Sequence, residues 1–194
     1  YFLAHSDWIL FNSRKEIASS LNKLGYKVGA ITTDEKYKTS LHEHFNEFQN
    51  WEVNRNKLID FRGILNLRKI LKQMNQDDIL HIYTLKSGLY VLFASHFMKK
   101  KYKTVLSITG LGYLFSKNNI SKIMRNILRF YMKYFFSRKT DIIIFQNHKD
   151  KKIFVNYLDY KNQTFLIEGS GINLNNFSIK NKETTNDDEI KIIM

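Results

Sequence analysis

DILHIYT (Asp78–Thr84), TVLSIT (Thr104–Thr109) and DIIIFQ (Asp141–Gln146) are the stretches that decide the fold. Each is a nearly continuous apolar run, and such strands suit a parallel sheet covered on both faces. Working outward, YFLA (1–4) reads as the end of a strand and KVGAIT (Lys27–Thr32) as a second. A further strand is expected within Trp51–Ile59 and a short one at Phe165–Ile167. Helical patterns fill the gaps. Ser13 can cap a helix to Leu24, with Glu16 completing a capping box and Gly25 ending it. Asp34 to Phe48 reads as a polar helix, and FRGILNLRKILKQM (Phe61–Met74) as an amphipathic one. Others lie near 86–98, 121–136 and 148–157. This β-α-β-α alternation predicts an α/β doubly wound, mainly parallel sheet. Ligands then bind at the strands' carboxyl ends. The loops expected there are Ala4–Asn12, Thr84–Gly88, Thr109–Ser116, Gln146–Lys149 and Gly169–Asn173.

The 194 residues are 43% apolar and 14% aromatic, enough for one domain with a real core. The absence of cysteine excludes disulfides, thiolate zinc sites and a Cys nucleophile. The closest histidine pair, His42 and His44, has no supporting ligands, so no metal centre is expected. No run of 18 apolar residues occurs and no signal-peptide pattern is visible, the sequence opening at Tyr1 within the tail of a strand. A cytoplasmic domain is the expectation.

The net charge of +13 is unevenly spread. Residues 1–98 carry 13 positive and 10 negative side chains (+3), residues 99–161 carry 15 and 3 (+12), and residues 162–194 carry 3 and 5 (−2). A Lys- and Asn-rich composition explains an overall excess, but not its concentration in one third of the chain. An anionic partner is expected there. Beyond it, KNKETTNDD (180–188) reads as a linker. EIKIIM (189–194) then reads as the first strand of another domain, with residues 1–178 forming the first and 179–188 the connection.

HIYTLKSGLY (81–90), SITGLGYLFS (107–116), IIIFQN (142–147) and LIEGSGIN (166–173), in that order, resemble the N-terminal half of family-4 retaining glycosyltransferases of the GT-B fold. The resemblance points to bacterial enzymes that assemble capsule, O-antigen or glycoprotein glycans. SRKEIASSLNKLGYKVGAIT (13–32) looks like their first helix and second strand, and the likeness covers about residues 1–178. It implies a Rossmann-like acceptor-side domain. A missing donor-binding domain would complete it, so the chain alone is expected to be inactive. The co-substrates implied are a nucleotide-sugar, here a UDP-sugar, and a lipid-linked saccharide acceptor, with no cofactor and no metal. The first loop, AHSDWILFN (4–12), lacks the glycines of many relatives, and Thr109 stands where many carry a histidine. Neither His5 nor His81 is therefore assigned a catalytic role. His81 reads as a satisfied core residue.

Candidate acceptor contacts are Asn12 and Arg14 in the first loop and helix start, Thr84 and Lys86 beside Ser87, and Thr109, Gly110, Gly112 and Tyr113. A plain turn, a solvated lysine and an ordinary first-turn arginine are the competing readings. Asn147 beside His148 reads as a helix cap. Gly169 and Gly171 are expected to shape the hinge and cleft floor. Lys122, Arg125, Arg129 and Lys133 form a helical stripe beside a wide aromatic arc in SKIMRNILRFYMKYFFSRK (121–139). A core helix with a basic edge would look similar. The stripe also suits an anionic membrane surface and a lipid diphosphate, which makes peripheral attachment at the inner face of the cell membrane the expected location. Alternative readings are a basic nucleic-acid-binding domain or a nucleotide-sugar epimerase of the same fold. No nucleic-acid partner is expected, because the cations lie on a helix and no recognition motif appears.

Overall fold

The computed structural model describes residues 1–57, 59–99, 102–111 and 122–171, the side chains at 122–125, 127, 128 and 135 excepted. Its elements are β1 (Phe2–Leu3), α1 (Asp7–Ser13), α2 (Lys15–Lys23), β2 (Gly29–Thr32), α3 (Lys38–His42), β3 (Glu47–Asn50), α4 (Phe61–Lys72), β4 (Ile79–Tyr83), α5 (Leu85–Ala94), β5 (Lys103–Ile108), α6 (Lys122–Lys139), β6 (Ile142–Phe145), α7 (His148–Leu158) and β7 (Gln163–Leu166). All seven strands are parallel, in the order β3-β2-β1-β4-β5-β6-β7. The expected doubly wound α/β sheet is therefore present.

Strand side chains alternate between faces, and the core divides accordingly. Leu3, Ile31, Leu80, Ile82, Leu106, Ile108, Ile143 and Phe145 join one cluster with residues of α4 to α7, including Leu67, Val91, Phe136 and Phe154. Phe2, Ala4, Val28, Ala30 and Tyr83 join a second with Leu10, Ala18 and Leu41. Even the central strand β1 needs only two residues, since its neighbours β2 and β4 hold both its edges.

Five expectations are corrected. The first helix does not start at a Ser13 cap. α1 already begins at Asp7, breaks at Arg14 (φ −128°, ψ −14°) and resumes as α2 without a side-chain cap. Most of the expected Ala4–Asn12 loop is thus helical, because WILF (8–11) buries Leu10 while Asp7 holds the entry. The polar helix expected over Asp34–Phe48 shrinks to α3, and the strand expected in Trp51–Ile59 lies earlier, at β3, in register with β2 (Gly29 beside Glu47). Trp51 instead anchors the following loop. It is fully buried, donates from Nε1 to the Gly63 carbonyl (2.9 Å) and meets Tyr90 edge-on. A Cβ at Gly63 would come within 2.8 Å of Val53 Cγ2, so glycine lets this loop close onto α4. Finally, the Thr84–Gly88 loop is the start of α5. The boundary expected at 178 and the segments 179–188 and 189–194 lie outside the described residues.

Candidate functional site

In a sheet of this order, the chain leaves β1 and β4 in opposite directions, and their adjacent carboxyl ends form a crevice. His5, just after β1, meets Thr84 and Ser87, just after β4. The His5 amide donates to Ser87 Oγ (3.1 Å), while His5 Nδ1 lies 3.1 Å from Ser87 Oγ and 3.2 Å from Thr84 Oγ1. Thr84 holds φ 79° and ψ 148°, a region that β-branched residues avoid at a cost of about 1–3 kcal/mol. Its bonds hold it there. Thr84 N donates to the Ser107 carbonyl (2.9 Å), and Oγ1 accepts from Ser87 N (3.3 Å) to cap α5.

Two cations stand at the mouth. Lys86 Nζ donates to the carbonyls of Arg55 (2.6 Å) and Lys57 (3.2 Å), tying the loop after β3 to α5. Arg55 donates to Ser6 Oγ (3.0 Å) and pairs with Glu35 (3.1 Å). Burial first, then the charges of Lys86 and Arg55, push the His5 imidazole down to about 4, so it is neutral at pH 7.

Arg14, at the break between α1 and α2, occupies the floor. It is 5% exposed, its Nη1 donates to Ser170 Oγ (2.8 Å) and its guanidinium carbon sits 4.4 Å from the Tyr83 ring centroid. Burial lowers its pKa. Ser170 also accepts from Gln146 Nε2 (3.2 Å), which draws the loop after β7 back over the carboxyl edge. Gly169 (φ +79°) and Gly171 (φ +71°) supply the left-handed geometry that turns this loop. Beside Arg14, Tyr83 stacks on His81 (4.3 Å) and hydrogen-bonds its Nδ1 (3.1 Å), while His81 Nε2 meets Ser107 Oγ (2.8 Å). Both ring nitrogens are satisfied, the arrangement expected of a core histidine. Burial, then the charge of Arg14, holds it near 3.

The entrance to α1 is organised by Asp7, 1% exposed. Its carboxylate accepts from the amides of Trp8 (2.7 Å), Lys36 (2.8 Å) and Tyr37 (2.8 Å), and its own amide donates to Thr33 Oγ1 (3.2 Å). One side chain thus joins the turns after β1 and β2.

Of the sequence-selected residues, Arg14, Thr84 and Lys86 gather at or near this crevice. Asn12 is exposed on α1, and Thr109 and Gly110 are exposed after β5. Gly112 and Tyr113 lie outside the described residues. Asn147 caps α7, its Oδ1 accepting from Asp150 N (2.7 Å). Ser170, Asp7 and Arg55 were not singled out. A Ser-Asp pair before an apolar run is a helix-start signal that points to Asp7. Nothing local marks Arg55 or Ser170.

On α6, Lys122 and Arg125 lie in the first turns, with side chains outside the description. The other half of the basic stripe does not stand free. Arg129 Nε donates to the Tyr157 carbonyl (2.6 Å) and Lys133 pairs with Asp159 (3.1 Å), both at the end of α7. The exposed strip is Phe130 (74%), Tyr134 and Arg138, whose guanidinium carbon lies 3.9 Å from the Tyr134 ring centroid. Phe97, 85% exposed after α5, lies edge-on to His96 (4.2 Å), which stacks on Tyr131 of α6.

Among the described residues, no group of three His, Cys, Asp or Glu could hold a metal ion, and no helix is long and apolar enough to cross a membrane.

A family model described as "Glycosyl transferase 4-like" matches residues 1–147. No curated protein matches the chain. Among solved structures, sucrose-phosphate synthase from Thermosynechococcus elongatus is similar, with a TM-score of 0.63 at 13% identity over 91% of this chain. The chain spans about half the length of that protein (49%). At this identity the likeness concerns the fold.

Proposed function

The chain belongs to the glycosyl transferase 4-like family, and from that premise we propose that it is the acceptor-side, N-terminal half of a GT-B glycosyltransferase. It moves a sugar, with retention, from a nucleotide-diphosphate donor to a lipid-linked saccharide in cell-surface glycan assembly. A UDP-sugar is the donor, and a second domain brings it to the crevice. The observation that carries this reading is the crevice between β1 and β4. It is polar and floored by a buried arginine, its His5 is neutral at pH 7, and the Glu35 carboxylate at its mouth is paired with Arg55. These groups bind and orient hydroxyls and oxyanions without offering a carboxylate nucleophile. No metal is required, because basic side chains and amides neutralise the leaving diphosphate.

The protein carrying this chain, incubated with UDP-sugars and a lipid-linked saccharide, is expected to give a glycosylated lipid with the donor's anomeric configuration. Inversion would overturn the retaining assignment. Failure to transfer from any nucleotide-sugar would overturn the transferase reading.

The lipid acceptor places the protein on the inner face of the membrane. Lys122 and Arg125 of α6, with the exposed Phe130, Tyr134 and Arg138, form the docking surface, with basic side chains adding about 1 kcal/mol each near an anionic bilayer. Because Phe130 is exposed, Phe130→Asp leaves the core intact. In co-sedimentation with phosphatidylglycerol vesicles, Phe130→Asp combined with Arg138→Glu is expected to lower the bound fraction severalfold. Pelleting equal to wild type would sink the docking surface.

A further inference from the structure

A charge removed from water needs a partner of opposite sign or a full set of hydrogen bonds. Arg14 has neither. It is 5% exposed, and only Nη1 is hydrogen-bonded, to Ser170 Oγ (2.8 Å). Nε is buried with no partner, and no described Asp or Glu pairs with the guanidinium. The Tyr83 ring beneath it supplies a cation-π contact at 4.4 Å, which repays part of the cost.

The other basic groups of the crevice are engaged. Lys86 is spent on two backbone carbonyls, Arg55 on Glu35 and Ser6, and His5 is neutral at pH 7. Arg55 is balanced by Glu35 and Lys86 rests on neutral carbonyls at the mouth, so on the buried floor Arg14 is the uncompensated charge. Ser170 Oγ accepts from both Arg14 and Gln146, which leaves its own proton free to be donated outward. The guanidinium N–H groups not spent on Ser170, the Ser170 hydroxyl and the Gln146 amide together make a receptor for an oxyanion.

We propose that Arg14 is the counter-ion for a single negative charge on the acceptor, the carboxylate of a sugar acid, with Ser170 donating a second hydrogen bond. One guanidinium balances one carboxylate, whereas a diphosphate carries more charge than this floor can neutralise. The assignment deepens the acceptor-side reading and rests on it only for placing the carboxylate on the acceptor.

The test is binding of D-glucuronate to this chain, followed by NMR and by melting temperature, with D-glucose as the uncharged control and inorganic pyrophosphate as the multiply charged one. Glucuronate is expected to bind saturably and raise the melting temperature, while glucose does neither. Arg14→Met should weaken glucuronate binding by about 10- to 100-fold. The unliganded variant should melt no lower than wild type, since a methionine over Tyr83 removes an unpaid buried charge. Ser170→Ala, at an exposed position, should weaken binding by about 5- to 10-fold without affecting folding. Equal responses to glucuronate and glucose, or undiminished binding in both variants, would overturn the proposal. So would Arg14-dependent binding of pyrophosphate tighter than that of glucuronate. A much lower melting temperature for unliganded Arg14→Met would show that the arginine is structural. Glucuronate binding without sugar transfer would count against the transferase reading alone, and transfer without glucuronate binding against this proposal alone.

Discussion

Lowering the pH from 7.5 to 5.0 is expected to remove about 4 kcal/mol of folding stability through two buried histidines. His5 and His81 titrate near 4 and near 3 in the folded chain, against 6.5 when unfolded. Burial is the main cause at both, reinforced by Lys86 and Arg55 at His5 and by Arg14 at His81. Because the folded values are depressed, the unfolded chain binds more protons between 6.5 and the folded values. Stability is therefore present above the unfolded value and falls as the pH falls through this window. Integrated from pH 7.5 to 5.0, each histidine contributes about 2 kcal/mol. Asp60, held below its usual range chiefly by the Asn54 amide, adds to the loss only at lower pH. Urea midpoints at the two pH values measure the difference. A midpoint that stays constant between them would refute the neutral, buried state of both rings, and His81→Gln should halve the dependence.

Asp7→Ala should cost about 3 kcal/mol, or roughly 6–12 °C in melting temperature. The penalty comes from the amides left behind rather than from a lost packing contact. The amides of Trp8, Lys36 and Tyr37 each lose their carboxylate acceptor. They belong to two separate turns, so losing the carboxylate also releases the start of α1 from the loop after β2. Asp7→Asn retains one acceptor oxygen and should fall between the two. Thermal unfolding of the three proteins ranks them, and a loss below about 1 kcal/mol for Asp7→Ala would show that water readily replaces the carboxylate.

The sheet was legible because buried parallel strands advertise themselves. The cores of β4, β5 and β6 fall within the quoted apolar runs, each ending within a residue or two of the expected boundary. β3 was misplaced because EFQN (47–50) has one large apolar residue and takes its strand state from pairing with β2. The neighbouring WEVNRNKLI has more apolar residues, but Trp51 spends its bulk on Gly63 and Tyr90. At the site, the strand-end argument found Arg14, Thr84 and Lys86. It could not reveal that Lys86 is committed to carbonyls, because such partners are set by where a distant loop passes. The glycines at 169 and 171 drew attention for their backbone freedom, whereas the serine between them makes the contacts. Side-chain partnerships 156 positions apart leave no local trace.

That same separation sets an order of events during synthesis. The Arg14–Ser170 hydrogen bond spans 156 positions, which at ordinary elongation rates is about 8–30 s of translation. Throughout that interval the first strands can pair while the guanidinium waits without its hydroxyl. The crevice is thus finished only once Ser170 has been made, and a ribosome paused before Ser170 would carry a sheet with an open floor.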